Sequence, residues 1–305
     1  MVISRFIKRW IANNAYIIYF TMKFMRCYLK NEWSIYKYRK NNWGKINNKL
    51  LSDNKKDTIF ILGSGSSIND ITESQWLDIK KADTIGFNFW PIHEHVPTYY
   101  SFEVPRDNVR KDILFKILNQ RKKDYAQTII ILKDYIDVSR NDIYKILDIF
   151  EKVYLLNDVN IAPPKRKLVE RAIKYGVYFK KFFKRYNEVP IIFKMRASVS
   201  FNIMLAYELG YKNIVLCGID LNNTKYFYED EKYRLSGLPI PPTGQEGHIH
   251  KTNDIRYGEV TITDAIVGIN EQILKPQNVH LYIGSKKSAL YPYLNYYWDN
   301  QKSKD

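Results

Sequence analysis

Thr58-Ile59-Phe60-Ile61-Leu62-Gly63-Ser64-Gly65-Ser66-Ser67 is the stretch that decides the fold. Five apolar, β-favouring residues run straight into a Gly/Ser turn, the pattern of a strand buried on both faces and ending abruptly. Similar short runs recur at 84–87, 99–102, 128–132, 153–156, 213–217 and 279–283. Helical patterns lie at 74–79, 110–120, 142–150, 165–184, 198–209 and 263–274. Strands alternating with helices predict an α/β chain with a mostly parallel, Rossmann-like sheet covered on both faces. This domain is expected over 55–300. The long stretch 221–260, rich in Tyr, Gly and Pro, reads as a lid loop.

Upstream, the texture differs. The chain of 305 residues carries 48 Lys and Arg against 32 Asp and Glu, a net +16, which points to an anionic partner. Residues 1–50 hold eleven of those basic residues and one acid, Glu32, interleaved with large apolar groups such as Phe6, Trp10, Phe20, Phe24 and Trp33. The uncharged run 10–22 is too short to cross a bilayer, and no signal-peptide cleavage site follows it. Residues 1–54 therefore read as a basic amphipathic helical segment lying in an anionic membrane interface. Packing of its apolar stripe on the body of the protein or on another subunit is the alternative. No recognisable nucleic-acid fold follows, and the rest of the chain is nearly charge-balanced, so nucleic acid is not the expected partner. Two cysteines exclude a disulfide scaffold or a Cys-rich metal site, and Cys217, inside an apolar run, reads as a buried hydrophobe.

Few residues can carry chemistry. Gly63-Ser64-Gly65 forms a turn whose backbone N–H groups can meet a phosphate, but the third glycine of a dinucleotide fingerprint is replaced by Ile68. The chain has no P-loop and no D-x-D metal handle. His93-x-His95 and His248-x-His250 lack an obvious third ligand, so a loop histidine reads better as a general base than as a metal ligand.

Several motifs, in order, resemble the bacterial sialyltransferases of glycosyltransferase family 42. They are 61–67 (Ile-Leu-Gly-Ser-Gly-Ser-Ser), Arg196-Ala197-Ser198-Val199-Ser200, 209–220 (Leu-Gly-Tyr-Lys-Asn-Ile-Val-Leu-Cys-Gly-Ile-Asp), 247–254 (Gly-His-Ile-His-Lys-Thr-Asn-Asp) and 281–288 (Leu-Tyr-Ile-Gly-Ser-Lys-Lys-Ser). The resemblance spans about 57–290 and is weakest over 105–190. It implies a single Rossmann-like, GT-A-variant domain that moves sialic acid or a related nonulosonic acid from a CMP donor. The transfer would invert the anomeric centre, need no metal or other cofactor, and use a histidine base. Gly63, Ser64, Gly65 and Ser66 match the donor-binding turn, although the family usually has Asn where Ser64 stands. Asn88 matches a donor-contacting Asn, and Arg196 and Ser198 match the segment beside the nucleotide. Two tyrosines after the family's Ile-Asp hold the leaving phosphate; here they fall on Asn222 and Tyr228, so Asn222 is a departure. Asp220 either touches ligand or caps the turn after its strand. The base is His250 or His248, with His250 the better fit.

The resemblance further implies a glycan or lipid-linked oligosaccharide acceptor and a peripheral location at the cytoplasmic face of the bacterial inner membrane; a homo-oligomer is left open. Bland structural roles compete at each site: a tight turn for Gly63 and Gly65, an ion pair for Arg196, a core aromatic for Tyr228, a turn residue for Asn88. The competing functions are a pyrophosphokinase-like nucleotide enzyme, which would need ATP and Mg²⁺, and a catalytically dead membrane-associated interaction protein.

Overall fold

The structure, a computed structural model, describes residues 16–39, 56–133, 138–151, 153–156, 158–184, 192–242 and 249–299. His248, most of the N-terminal segment outside 16–39, and residues 243–248 of the expected lid lie outside the described residues.

In order, the main elements are α1 (Tyr16–Arg39), β1 (Thr58–Leu62), α2 (Glu73–Lys81), β2 (Asp83–Phe87), β3 (Tyr99–Phe102), α3 (Asn108–Gln120), β4 (Ile129–Lys133), α4 (Arg140–Ile149), β5 (Val153–Leu156) and β6 (Asp158–Asn160). They continue with α5 (Val169–Lys184), β7 (Ile192–Lys194), α6 (Ser198–Glu208), β8 (Asn213–Cys217), α7 (Ile262–Ile269), β9 (His280–Ile283) and β10 (Asn295–Tyr296). Eight strands form one sheet in the order β10-β9-β8-β1-β2-β3-β4-β5, every ladder of it parallel. β6 and β7 make a separate parallel pair.

Burial on both faces explains the unbroken apolar runs. Ile59 and Ile61 of β1 point into a core shared with α1, α5, α6 and α7, whereas Phe60 and Leu62 point into a second core with Leu114, Ile117 and Ile146 of α3 and α4. Local signals start the helices as the sequence dictates. Thr72 and Gln75 form a capping box at α2, Thr261 and Asp264 another at α7, and Ser139 caps α4.

Strand order positions the site. β1 pairs with β2 on one side and, across a gap of more than 150 residues, with β8 on the other, Thr58 facing Asn213. The chain builds outward from β1 to β5 and then outward again from β8 to β10. The carboxyl ends of β1 and β8 therefore flank a topological switch point, where open α/β sheets leave a crevice.

Two parts of the expected organisation change. Tyr16, Phe20 and Phe24 of α1 are buried and pack on Tyr175 and Phe179 of α5, so one stripe of this helix covers the body of the protein. Within the expected lid, Phe227, Tyr228 and Tyr233 are buried against Phe89, Trp90 and His93. Their large rings remove too much apolar surface from water for a mobile cover, and this part of 221–260 is core wall.

Candidate active site

A cavity of about 370 Å³ opens at the switch point. Its walls include Ser64 and Gly65 after β1, Asn88 after β2, Glu103 after β3, Lys194, Arg196 and Ser198 between β7 and α6, Asp220 and Leu221 after β8, Tyr226, and His250 with Thr252. Residues separated by almost 190 positions thus meet in one place.

The turn after β1 is stapled to the turn after β8. Gly63 N–H donates to the Cys217 carbonyl and Gly65 N–H to that of Gly218, both at 2.8 Å, and Ser66 N–H donates to the Lys225 carbonyl. Ser67 donates its N–H (3.0 Å) and hydroxyl to the Asp220 carboxylate, and the Ser66 hydroxyl joins them at 3.3 Å. The approach is so close that a Cβ on Gly65 would lie 2.8 Å from the Gly218 carbonyl oxygen and 2.6 Å from Asp220 Oδ2; one on Gly63 would lie 2.5 Å from that same carbonyl oxygen. Both glycines are required by this contact. The expectation that these backbone N–H groups cradle a phosphate is therefore narrowed: those of Gly63, Gly65, Ser66 and Ser67 are consumed within the protein, which leaves that of Ser64. Ser66 is itself engaged this way, and Asp220 is the clamp. The turn also offers the cavity the hydroxyl of Ser64, a buried oxygen with no hydrogen-bond partner in the protein.

An anion cradle does exist, across the cavity at α6. Ala197 occupies the N-cap position and supplies no side-chain cap, so the positive end of an 11-residue helix faces the cavity at Ser198. Arg196 stands immediately before it. Its Nε donates weakly to the Thr252 carbonyl at 3.4 Å, while its Nη2 is buried with no partner. A buried, unsatisfied guanidinium N–H is costly, and the cationic side chain of Arg196 also lines the cavity, where its charge favours an anion. Gly258, with φ of +146°, lies against the guanidinium; a Cβ there would come within 2.8 Å of Nη1.

Backbone strain collects at the same place. Among the described residues, four that are not glycine have left-handed φ angles: Asn88 (58°), Arg196 (74°), Leu221 (65°) and Asn278 (54°). Three of the four line this one cavity. Asn88 is fixed by its N–H to the Ser101 carbonyl and by the buried Tyr100 hydroxyl, which donates to its carbonyl at 2.5 Å. Residues held in such conformations cluster at functional sites.

Sequence reasoning missed the charged wall. Lys133, fully buried at the end of β4, donates to Glu103 and to the Ser198 hydroxyl, both at 2.8 Å. Lys194 pairs with Asp158 at 3.1 Å and with Glu103 at 3.6 Å. The signal available was a lysine terminating the run Ile129–Leu132, where a charge needs a partner. Glu103 is held by two lysines, and Arg196 and Lys225 outweigh the one carboxylate of Asp220, a cationic excess that favours an anionic ligand.

His250 lines the cavity with its Nδ1 2.8 Å from the Thr252 hydroxyl. Burial lowers its pKa, and the Asp220 carboxylate pulls weakly the other way, so the ring is neutral at physiological pH. Tyr228 is placed elsewhere. It is buried in the core, stacked behind Tyr226 at 5.1 Å, with burial raising its pKa. Tyr226 is the tyrosine in the cavity wall. Asn222 lies outside the cavity lining, its amide donating to the Lys287 carbonyl at 2.6 Å. Gly63 lies one residue behind the cavity wall. His93 and His95 are packed around Trp76 and Trp90, where desolvation holds them neutral.

No protein-family model matches the chain, and no curated protein matches it. Solved structures similar to it include sialyltransferases. One is a point variant of the sialyltransferase CST-II in complex with CMP, at 18% identity over 78% of this chain and 86% of that chain, TM-score 0.45. Another is the sialyltransferase CstII from Campylobacter jejuni in complex with the substrate analogue CMP-3FNeuAc, at 15% identity over 78% and 84%, TM-score 0.43. The third is the monofunctional α-2,3-sialyltransferase Cst-I from Campylobacter jejuni, at 16% identity over 84% and 83%, TM-score 0.45.

Proposed function

We propose that this chain is a glycosyltransferase that takes sialic acid or a related nonulosonic acid from a CMP donor and passes it to a hydroxyl of a surface glycan. One observation carries the reading: Arg196 and Ser198, at the uncapped start of α6, together line the switch-point cavity. The motifs that resemble the family 42 enzymes contribute residues to the same walls. A leaving nucleotide phosphate gains negative charge as the glycosidic bond lengthens. Arg196, the Ser198 hydroxyl and the α6 dipole are where that charge would be stabilised. Ser64 and Asn88, facing them, are suited to hydrogen-bond the donor.

The base is His250. In the structure its Nδ1 accepts the Thr252 N–H at 3.3 Å, which leaves the ring proton on Nε2; the tautomer whose Nδ1–H donates to the Thr252 hydroxyl frees Nε2, and that neutral ring can take the acceptor proton as the new bond forms. In the proposed transfer the acceptor oxygen, its proton taken by His250, bonds to the anomeric carbon on the face opposite the departing CMP, a single displacement that inverts the centre; CMP, its charge met by the protein, leaves without a divalent metal.

Calorimetry with CMP and with ATP, each with and without EDTA, tests the reading. CMP should bind unchanged by EDTA and should raise the melting temperature by mass action. ATP binding that needs Mg²⁺, with no CMP binding, would instead make this a pyrophosphokinase-like enzyme.

A further inference from the structure

Helix α1 is apolar on two opposite sides, and among the described residues one of them packs on the body of the protein while Ile18, Met22 and Leu29 on the other are exposed. Tyr16, Phe20 and Phe24 face α5 and are buried. On the far side, Ile18 is 54% exposed, Met22 64% and Leu29 59%. With Met25 and the exposed Trp33 they form a second stripe, Ile18-Met22-Met25-Leu29-Trp33, stepping by four, three, four and four residues. Scattered surface hydrophobes are ordinary; a continuous exposed row of this kind along one helix marks a contact face.

The nature of the partner follows from spacing and charge. The steps average above the repeat of about 3.6 of a straight helix, not the roughly 3.5 that winds two helices around each other. Over these four steps the stripe drifts by only about 60° around the helix, so a flat surface can still meet all of it. The exposed Arg26 borders it, and the only acid in residues 1–50 is Glu32 against eleven Lys and Arg. Across 24 residues the helix is about 36 Å long, enough to span a bilayer by length alone. Its charges forbid that course, and among the described residues no helix is apolar enough to cross a membrane. A long helix with basic borders and an apolar outer row is built to lie flat.

We infer that the outer face of α1 is a docking surface for an anionic lipid bilayer. The face lies parallel to the surface, with Ile18, Met22 and Leu29 inserted at the headgroup boundary and the basic residues against lipid phosphates. α1 also lies against β6, whose ladder partner β7 ends at the cavity residue Lys194. Docking would therefore bring the cavity near the membrane. This inference stands on α1 alone and does not depend on which reaction the cavity performs.

Vesicle co-sedimentation of the full chain tests it, with vesicles of phosphatidylcholine alone and with about one-third phosphatidylglycerol. The wild type should bind the anionic vesicles at least about tenfold more tightly than the neutral ones, and less tightly as salt rises. The triple variant Ile18→Ser/Met22→Ser/Leu29→Ser, altered only at exposed positions, should lose at least about tenfold in binding. Its circular dichroism and melting temperature should match the wild type. A triple variant that binds anionic vesicles as the wild type does would overturn the inference. So would a wild type that ignores lipid and sediments as a dimer, with the triple variant a monomer, because the occupant is then a second copy of the chain.

Discussion

The ammonium of Lys133 donates to the hydroxyl of Ser198 across 2.8 Å. A hydroxyl oxygen that accepts from an ammonium turns its own proton away, and Ser198 lies in the cavity wall. Lys133 therefore sets Ser198 as a donor to whatever anion the cavity takes. Ser198→Ala is expected to weaken CMP binding about fivefold to thirtyfold and to lower the melting temperature a little, because the buried Lys133 ammonium loses one acceptor. Lys133→Met should weaken it similarly and also lower the melting temperature, since Glu103 is left with Lys194 at 3.6 Å. Calorimetry and thermal melting on the two variants separate these effects; unchanged CMP affinity in Ser198→Ala would remove Ser198 from the site.

Arg196 is held in a left-handed backbone conformation and covered by Gly258. Gly258→Ala should displace the guanidinium and reduce donor affinity by about tenfold, although position 258 makes no contact with ligand in this reading. Arg196→Lys keeps the charge but loses the planar fork, and should cost at least as much. Binding measured by calorimetry checks both; a Gly258→Ala protein with native affinity would show that the guanidinium position is not critical.

His250→Ala is expected to reduce kcat by about 10²- to 10⁴-fold with CMP affinity near that of the wild type. Thr252→Val removes the oxygen 2.8 Å from Nδ1 and should lower kcat without changing donor KM, whereas Thr252→Ser should restore it. The acidic limb of the pH–rate profile should fall below the ordinary histidine pKa of about 6.5, because burial lowers the value for His250. An acidic limb well above that pH would point to a different base.

Stability should fall in acid for a separate reason. Burial pushes His93 down to about 3 and His95 down to about 4. Below about pH 6.5 the unfolded chain binds protons at these residues that the folded chain refuses. Unfolding is therefore favoured progressively as pH drops from there towards the folded values, by up to about 1.4 kcal/mol per pH unit for each histidine. Denaturant titrations between about pH 7 and pH 5 should show this slope, and His95→Gln should flatten it. A slope unchanged by that substitution would assign the acid sensitivity elsewhere.

Each of the seven strands read from apolar runs is present within a residue or so, because strands buried on both faces must be apolar throughout. The short β6, β7 and β10 were not legible. Asp158–Asn160 contains two polar residues, and its pairing with β7 depends on chain that is distant in sequence. Arg196, Ser198, Asn88 and His250 could be picked out because they sit beside strand ends in recognisable motifs. Glu103, Lys133 and Lys194 could not, since a buried lysine makes sense only once its partners from other strands are known. Counting residues after Asp220 pointed to Tyr228 as a cavity residue. The chain folds back so that Tyr226 forms an isolated antiparallel bridge with Gly65, which puts Tyr226 in the wall and Tyr228 behind it.

The central strand has a cost during synthesis. β1 cannot satisfy its second edge until β8 exists, and Leu62 pairs with Cys217, 155 residues later. At ribosomal rates of about 5–20 residues per second, that edge waits on the order of ten to thirty seconds. For that interval a nascent chain exposes an apolar strand with an open row of N–H and C=O groups, the arrangement most prone to pairing with a neighbour. Expression yield should therefore respond to chaperone supply and to lower growth temperature more than to the equilibrium stability of the finished fold.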